Sequence, residues 1–383
     1  LTTSSAASDV YKRQGLESTH NDVRSTAYSQ TLYTKGREAL GLLNRTPIAT
    51  RYPSGGGTYS TFAAYIDYRY DINLKSTLSL GARQTITELN ASWSEQALID
   101  VRLDRVNQNN KASNFTLGYT QLVNSKTQLK ALISTGFRSP NIDDLGKTRE
   151  HGGVLTVPNM HLNPEYIRSS EIGLKYRWQK KSFLDLNAYY AIINNYIARS
   201  SHVVFGDKST NDESTILYSG EELRTISNTN LGSVRMYGIN VQNEWQVSHY
   251  FRHIGNFTLT KGEGNRLSGN LPSISPLFIS QRFQCTNKKS QIELSWHHVN
   301  GKNPNNYSPW GEDGLEETPL NAQGEYAGTP AWHRWDIQFT FNLNTSTKLS
   351  GVLFNIFDTH YKEFASGVSA PGRSLKIILR YNL

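Results

Sequence analysis

The feature that most constrains this chain is a rhythm of two-sided segments joined by connections of two very different lengths. From Tyr59 onward, apolar and polar residues alternate with period two. Phe62, Ala64, Ile66, Tyr68 and Tyr70 form one face, against Thr61, Ala63, Asp67 and Arg69 on the other. That period is the mark of a strand with unlike faces. The stretch Leu132–Tyr176 carries the plan in miniature. Leu129, Ala131 and Ile133 alternate with Lys130, Leu132 and Ser134, and Gly136 and Pro140 then end the strand. Ser139 reads as a helix N-cap with Pro140 at the first helical position, Asp143 and Asp144 in the first turn, and Gly146 as the stop. Ser170, Ile172, Leu174, Tyr176 and Trp178 resume the alternation.

Connections alternate as regularly as the residues do. Short polar turns are read after Tyr70 and at Asn124–Gln128, Gln179–Ser182, Gln246–Tyr250, Thr286–Ser290 and Asn344–Lys348. Long connections are read at Gly41–Pro53, Gln84–Lys111, Gly146–Leu162, Arg199–Gly232, Lys261–Ser275, Val299–Ala331 and Asp358–Gly372. About thirteen strands result, each near the roughly 9–11 residues that a tilted membrane strand requires. Short turns on one side and long loops on the other describe an antiparallel transmembrane β-barrel. A soluble β-rich sandwich or propeller also alternates, but loops far beyond about 12–15 residues, repeated at every second connection, are unusual in compact domains. The expected fold class is therefore all-β, a partial transmembrane barrel with about 13–15 strands.

Composition narrows the reading at three points. The mean hydropathy of −0.54 looks water-soluble, and no run approaches the roughly 18–20 apolar residues of a spanning helix, yet barrel strands show lipid only half their residues. A lone cysteine, Cys285, excludes an intrachain disulfide and a cysteine-based metal site. The net charge of +8 is scattered along strands rather than gathered in a patch, which argues against nucleic acid and suits an anionic lipid surface or a polar lumen. In a barrel, the mid-strand acids Glu171, Glu244 and Asp336 should face that lumen. No G-x-S-x-G, H-E-x-x-H, P-loop or G-x-G-x-x-G pattern occurs, and adjacent His297 and His298 point to opposite faces, so they cannot share one ion. Neither an enzyme nor a resident cofactor is expected.

Three regions follow. Residues 1–14, LTTSSAASDVYKRQ, read as translated sequencing-adapter sequence and are set outside the fold. Residues 15–57 are a mixed strand and loop region, and residues 58–383 are the barrel.

At Gly136–Leu145 the sequence resembles TonB-dependent outer-membrane receptors. The resemblance continues through LNPEYIRSSEIGLKY (Leu162–Tyr176), YYAIINNYI (Tyr189–Ile197), VRMYGINVQNEWQ (Val234–Gln246), FNIFDTHY (Phe354–Tyr361) and PGRSLKIILRYNL (Pro371–Leu383). Five phrases in the family's order carry it. It implies a 22-stranded barrel of which this chain supplies roughly strands ten to twenty-two, without the plug domain or the TonB-engaging segment. It further implies uptake of a large scarce nutrient such as haem or a ferric siderophore. The implied partners are the TonB–ExbB–ExbD complex and the outer-membrane lipid with its lipopolysaccharide. Leu383 departs from the pattern, since the family's insertion signal usually ends in an aromatic. A passive porin is the nearest alternative within the membrane.

Within the family, the pattern is similar to Bacteroidetes-type haem and siderophore receptors. Haem receptors place a histidine between an FRAP-like and an NPNL-like motif. Here FRSP (Phe137–Pro140) and NMHL (Asn159–Leu162) bracket His151, with His161 a second candidate. Neutral imidazole is a good iron ligand. Arg138 is expected either to hold an anionic ligand or to pair with Asp143 or Asp144. Phe205, Tyr218, Tyr307, Trp310 and Tyr326 lie in long connections, where they could stack on a ligand or form the interfacial girdle.

Overall fold

In the computed structural model, residues 10–94, 105–201, 215–218, 220–264, 270–309 and 311–382 are described. The strands are β1 (Val10–Val23), β2 (Ala27–Lys35), β3 (Glu38–Ile48), β4 (Gly57–Asn73), β5 (Ser76–Ala91), β6 (Val106–Leu122) and β7 (Thr127–Arg138). After the short helix α1 (Ile142–Gly146) come β8 (Arg149–His151), β9 (Val154–Thr156), β10 (Glu165–Gln179), β11 (Ser182–Asn194), β12 (Ile197–Ser201), β13 (Thr215–Tyr218) and β14 (Glu221–Asn230). The remainder are β15 (Val234–Gln246), β16 (Phe251–Glu263), β17 (Phe278–Thr286), β18 (Ser290–Val299), β19 (Trp332–Asn342), β20 (Thr347–Phe354) and β21 (Ser374–Tyr381).

Among the described residues, fourteen of these strands form one antiparallel sheet in the order β1-β4-β5-β6-β7-β10-β11-β15-β16-β17-β18-β19-β20-β21. Two residues join β4 to β5 and β10 to β11, three join β17 to β18, and four join β6 to β7, β15 to β16 and β19 to β20. All the long connections emerge at the opposite end of the sheet. The outer-membrane sidedness expected from the sequence is thus built into the topology.

Register fixes which residues share a face. One continuous rung of Cα partners runs Tyr70–Leu78–Tyr119–Ala131–Ile172–Ala188–Ile239 across seven strands. Ile172 is 67% exposed and Ile133 58% exposed, as are many other apolar residues of this face. An apolar surface of that size in water would drive association, whereas hydrocarbon covers it without cost. A groove of about 790 Å³ along the same face, between Tyr119, Leu129, Ile172 and Ile239, fits acyl chains. Glu171, Glu244 and Asp336 lie on the other face. Glu244 meets Arg252 at 2.7 Å, and Asp336 meets Arg334 at 3.0 Å and accepts the Asn355 backbone N–H at 2.9 Å.

That inner face also carries the main apolar core. Leu89, Ala91, Val106, Ile142, Leu145, Leu162 and Ile197 are buried together where the long connections fold back over the strand ends. A second cluster, Leu155, Val157, Ile216 and Leu223, holds a small sheet in which β9 pairs parallel with β14.

Several boundaries differ from the sequence reading. The N-cap of α1 is Asn141 rather than Ser139. The Asn141 side chain accepts the Asp144 N–H while the Asp144 carboxylate accepts the Asn141 N–H, a reciprocal arrangement that serine at 139 could not reach. Ser139 is buried instead, hydrogen-bonded to Thr87 and Asn110. Much of Gly41–Pro53 is strand, because β2 and β3 form a ribbon that needs only each other's backbone. Within Gln84–Lys111, β5 and β6 continue as a fully registered pair from Gln84–Ser113 to Ala91–Val106. Polar residues there mark a strand pair continuing beyond the apolar band, not a loop. Lys261 belongs to β16, and Val10–Gln14 belong to β1, paired with Tyr70–Ile66 of β4.

Candidate ligand-binding site

The long connections do not stand apart; ion pairs tie them into a collar at one end of the sheet. The opening stretch supplies the first knot. Arg138, at the end of β7, donates to Glu165 at 2.8 Å and to Asp144 at 2.6 Å. Glu165 in turn accepts the Ile197 N–H at 2.6 Å, which fixes the start of β12. Asp143 takes Arg51 at 2.7 Å and Lys147 at 3.7 Å. Burial pushes the Asp143 carboxyl up, but Arg51 and Lys147 outweigh it and hold the group below the ordinary aspartate value. Arg138 is therefore a positioning residue in this state, its guanidinium shared by two carboxylates.

A second knot is built on the acidic pair Glu312-Asp313. Glu312 accepts the Arg199 N–H at 3.2 Å and the Ser308 hydroxyl at 2.7 Å. Asp313 accepts the Ser273 N–H at 2.7 Å and the Lys302 ammonium at 2.9 Å. Lys302 also donates to the Ile274 carbonyl at 3.0 Å and lies 4.0 Å from the centre of the Phe364 ring. Both charged groups are almost wholly buried. Burial lowers the Lys302 pKa from the ordinary lysine value, and Asp313 opposes the shift. Through these contacts the connections after β11, β16, β18 and β20 meet at one point.

Beside this knot lies an open groove of about 480 Å³ lined by Asn270, Pro304, Tyr307, Glu316 and Tyr326, within the size range of small-molecule sites. His151 sits at the tip of the β8–β9 hairpin, where Gly152 and Gly153 both take positive φ angles (62° and 76°) and so permit a two-residue turn. Its Nε2 is 3.6 Å from Glu316, which brings the hairpin tip to the groove. His161 is not part of this arrangement. Its backbone N–H donates to Asn159, and its exposed ring has no hydrogen-bond partner among the described residues. Tyr307 shows only part of its ring to the groove. It is 4% exposed, and its hydroxyl is 2.5 Å from the Thr329 side chain, so it is a structural residue of the collar. Tyr326 is open to solvent and Tyr218 packs against the second core. Phe205 and Trp310 fall outside the described residues.

Sequence reasoning missed Lys302, Asp313 and Glu316. Asp313-Gly314 marks a turn, with Gly314 at φ 65°, but no local pattern shows that the carboxylate turns inward onto a lysine eleven positions earlier.

Comparison with known proteins places this geometry. The haemoglobin-binding protein A of Haemophilus influenzae is 22% identical over 243 residues, which is 61% of this chain and 23% of that protein. The probable hemoglobin and hemoglobin-haptoglobin-binding protein 4 of the same species is 21% identical over 167 residues, 42% of this chain and 16% of that one. The chain thus spans less than a quarter of the length of these relatives. Among solved structures, the copper transporter OprC superposes with a TM-score of 0.72 at 14% identity, covering 97% of this chain and 54% of that one. The ferric-catecholate import receptor Fiu of E. coli gives 0.64 at 16% identity, covering 97% and 52%. At such identities the likeness is one of fold. The family described as TonB dependent receptor-like, beta-barrel matches residues 2–356. With the one-sided turns, the outward apolar face and the polar inner face all in agreement with that match, the chain belongs to the TonB-dependent receptor β-barrel family of the Gram-negative outer membrane.

Proposed function

We propose that this chain is the ligand-collecting barrel portion of a receptor for TonB-dependent uptake of an iron complex, haem or a ferric siderophore. The observation that carries the reading is the knotted collar with its open groove. Ion pairs that gather the long loops at one end of the sheet supply what a receptor needs, a preformed surface on which loop side chains converge. Relatives named for haemoglobin binding favour haem within that class. In the intact receptor, energy would come through the TonB–ExbB–ExbD complex, and the ligand would be released inward along the polar face that bears Glu171 and Asp336.

His151 is the residue proposed to ligate haem iron. Its ring is exposed at a hairpin tip, and Nε2 faces Glu316 at 3.6 Å, which leaves Nδ1 as the nitrogen to meet iron, with the carboxylate near the opposite nitrogen as is common for metal-bound histidines. Titrating haem into the receptor while recording its absorbance tests this. His151→Ala should abolish the ligand-dependent shift and weaken binding roughly 10–100-fold, with Glu316→Gln giving a smaller loss. Unchanged spectrum and affinity in His151→Ala would remove this residue from the site. Tight binding of a ferric siderophore by both forms would then favour the other ligand class.

A further inference from the structure

We infer that the outward face of β15, β16 and β17 is a contact surface for a second copy of this receptor in the plane of the membrane, centred on Asn243, Gly255 and Gln281. The inference rests on the outer-membrane placement of the barrel.

Register brings three polar side chains together where the barrel meets hydrocarbon. Asn243 of β15 and Gln281 of β17 are both partners of Gly255 on β16, and His253 lies two positions along β16 on the same face. That face is the outward one, since Asn243 has the parity of Ile239 on β15. Trp178 and Trp245, each one position before the end of its strand, mark the periplasmic interface. From there the rung Asn243–Gly255–Gln281 climbs, from three residues before the end of β15 to five before the end of β17. At about 3.4 Å per residue and about 45° of tilt, the two amides lie roughly 7 and 12 Å above the strand ends, inside the apolar band. On β10 and β11 the outward residues Ile172, Leu174, Leu186 and Ala188 are all apolar, so the polar trio stands out.

A polar group facing hydrocarbon is costly unless it is partnered. Part of that cost is met locally. The Asn243 amide donates to His253 Nδ1 at 3.2 Å, which puts the ring proton on Nε2, where it is donated to the Gln281 carbonyl at 2.7 Å. Phe283 stacks on the imidazole at 5.0 Å and holds it in place. Glycine at 255 makes the room. A Cβ there would sit closer than 3.0 Å to both Asn243 Oδ1 and Gln281 Oε1, so the two amides end over one point. The inventory does not close, however. Among the described residues, Asn243 Oδ1 accepts no hydrogen bond and the Gln281 NH2 group donates none.

This leftover acceptor and donor decide the occupant. Two copies with the same sidedness are related by a two-fold axis along the membrane normal. An axis over Gly255 sets each Asn243 against the Gln281 of the other copy, so each Oδ1 accepts from the opposite amide and both bonds form at once. Acyl chains offer neither donor nor acceptor, and a lipid ester carbonyl would serve Gln281 alone. The surrounding outward residues Trp245, Phe251, Phe283 and Trp296 carry no charge, so self-apposition opposes no like charges. Their rings supply contact area around the polar centre.

Single-molecule photobleaching of the full-length receptor, carrying one dye per chain in phosphatidylcholine vesicles, tests the contact over a range of protein-to-lipid ratios. The unsubstituted receptor should bleach in two steps. Asn243→Leu, Gln281→Leu and the double substitution should each raise the ratio needed for half-dimerisation about tenfold. The three effects should be equal, because every bond takes one residue from each copy and either substitution breaks both bonds. Asn256→Leu, on the inward face of β16, should dimerise as the unsubstituted receptor does. One-step bleaching of the unsubstituted receptor at every ratio overturns the contact. So do two steps retained by the double variant, or single effects that add in it. Quenching of tryptophan fluorescence by brominated acyl chains keeps the two ideas apart. A monomer whose indoles are quenched has lost only this contact, whereas one whose indoles are not quenched has lost the membrane placement.

Discussion

Substituting Asp313 with alanine is expected to destabilise the collar by about 3–5 kcal/mol, because it strands a buried ammonium without its counter-charge. Lys302 would keep the Ile274 carbonyl and the faces of Phe364 and Tyr307, none of which replaces a carboxylate. The backbone N–H groups of Ser273 and Ser308, which donate to Asp313 at 2.7 and 3.4 Å, would lose their acceptor in the same step. The effect should be local. Hydrogen exchange should accelerate at Ser273 and Ser308 while amides of the β10–β11 pair keep their protection. The double substitution Lys302→Met, Asp313→Leu should recover part of the loss, since it removes the stranded charge and leaves only the Ser273 and Ser308 N–H groups without their acceptor. Unchanged exchange in Asp313→Ala would show that the knot does not hold the loops.

The second large effect belongs to the outward face. Ile172 lies between the Arg168 and Trp178 levels, near the middle of the apolar band, and an arginine there should cost about 2–4 kcal/mol. The same arginine at Asn187 should cost little. Asn187 shares the inward rung of Gly173 and Asn240, and its amide already lies 3.5 Å from Glu171. Guanidinium titrations of the receptor folded into lipid vesicles would compare the two. If Ile172→Arg were no more costly than Asn187→Arg, the assignment of lipid and lumen to these faces would be wrong.

How much of this could be read from residues alone follows from the range of the forces involved. Alternation within a strand is local, so Phe62–Tyr70, Leu129–Ile133 and Ser170–Trp178 announced both strands and faces, and the parity of Glu171, Glu244 and Asp336 followed. Turns of two to four residues were visible because polar and turn-forming residues gather in them. Strand ends were less legible. Gln84–Ala91 and Val106–Lys111 are as polar as loops because they extend beyond the hydrocarbon, and their pairing is a matter of backbone partners that no side chain advertises. The site was the least legible part. Arg138 was expected to pair with a loop acid, and it does so with Asp144, but Glu165 comes from 27 residues away. His151 meets Glu316 across more than 160 positions, and Asp313 reaches Ser273 across 40. Such contacts are made by the collar as a whole and leave no trace in local spacing.

The alternation of two-to-four-residue turns with long connections also sets an order of assembly. Closing a loop costs entropy that rises with the logarithm of its length, about 0.6 kcal/mol per doubling. The connection from β18 to β19, residues 300–331, is about three doublings longer than the four-residue turn from β19 to β20, a difference of roughly 2 kcal/mol before any collar contact forms. The pairs β4–β5, β6–β7, β10–β11, β15–β16, β17–β18 and β19–β20 are therefore the natural prefabricated units, each a hairpin able to form before its neighbours arrive. The knots at Arg138 and Asp313 join elements from several hairpins, so they close late, and loop architecture becomes a record of finished assembly rather than its cause.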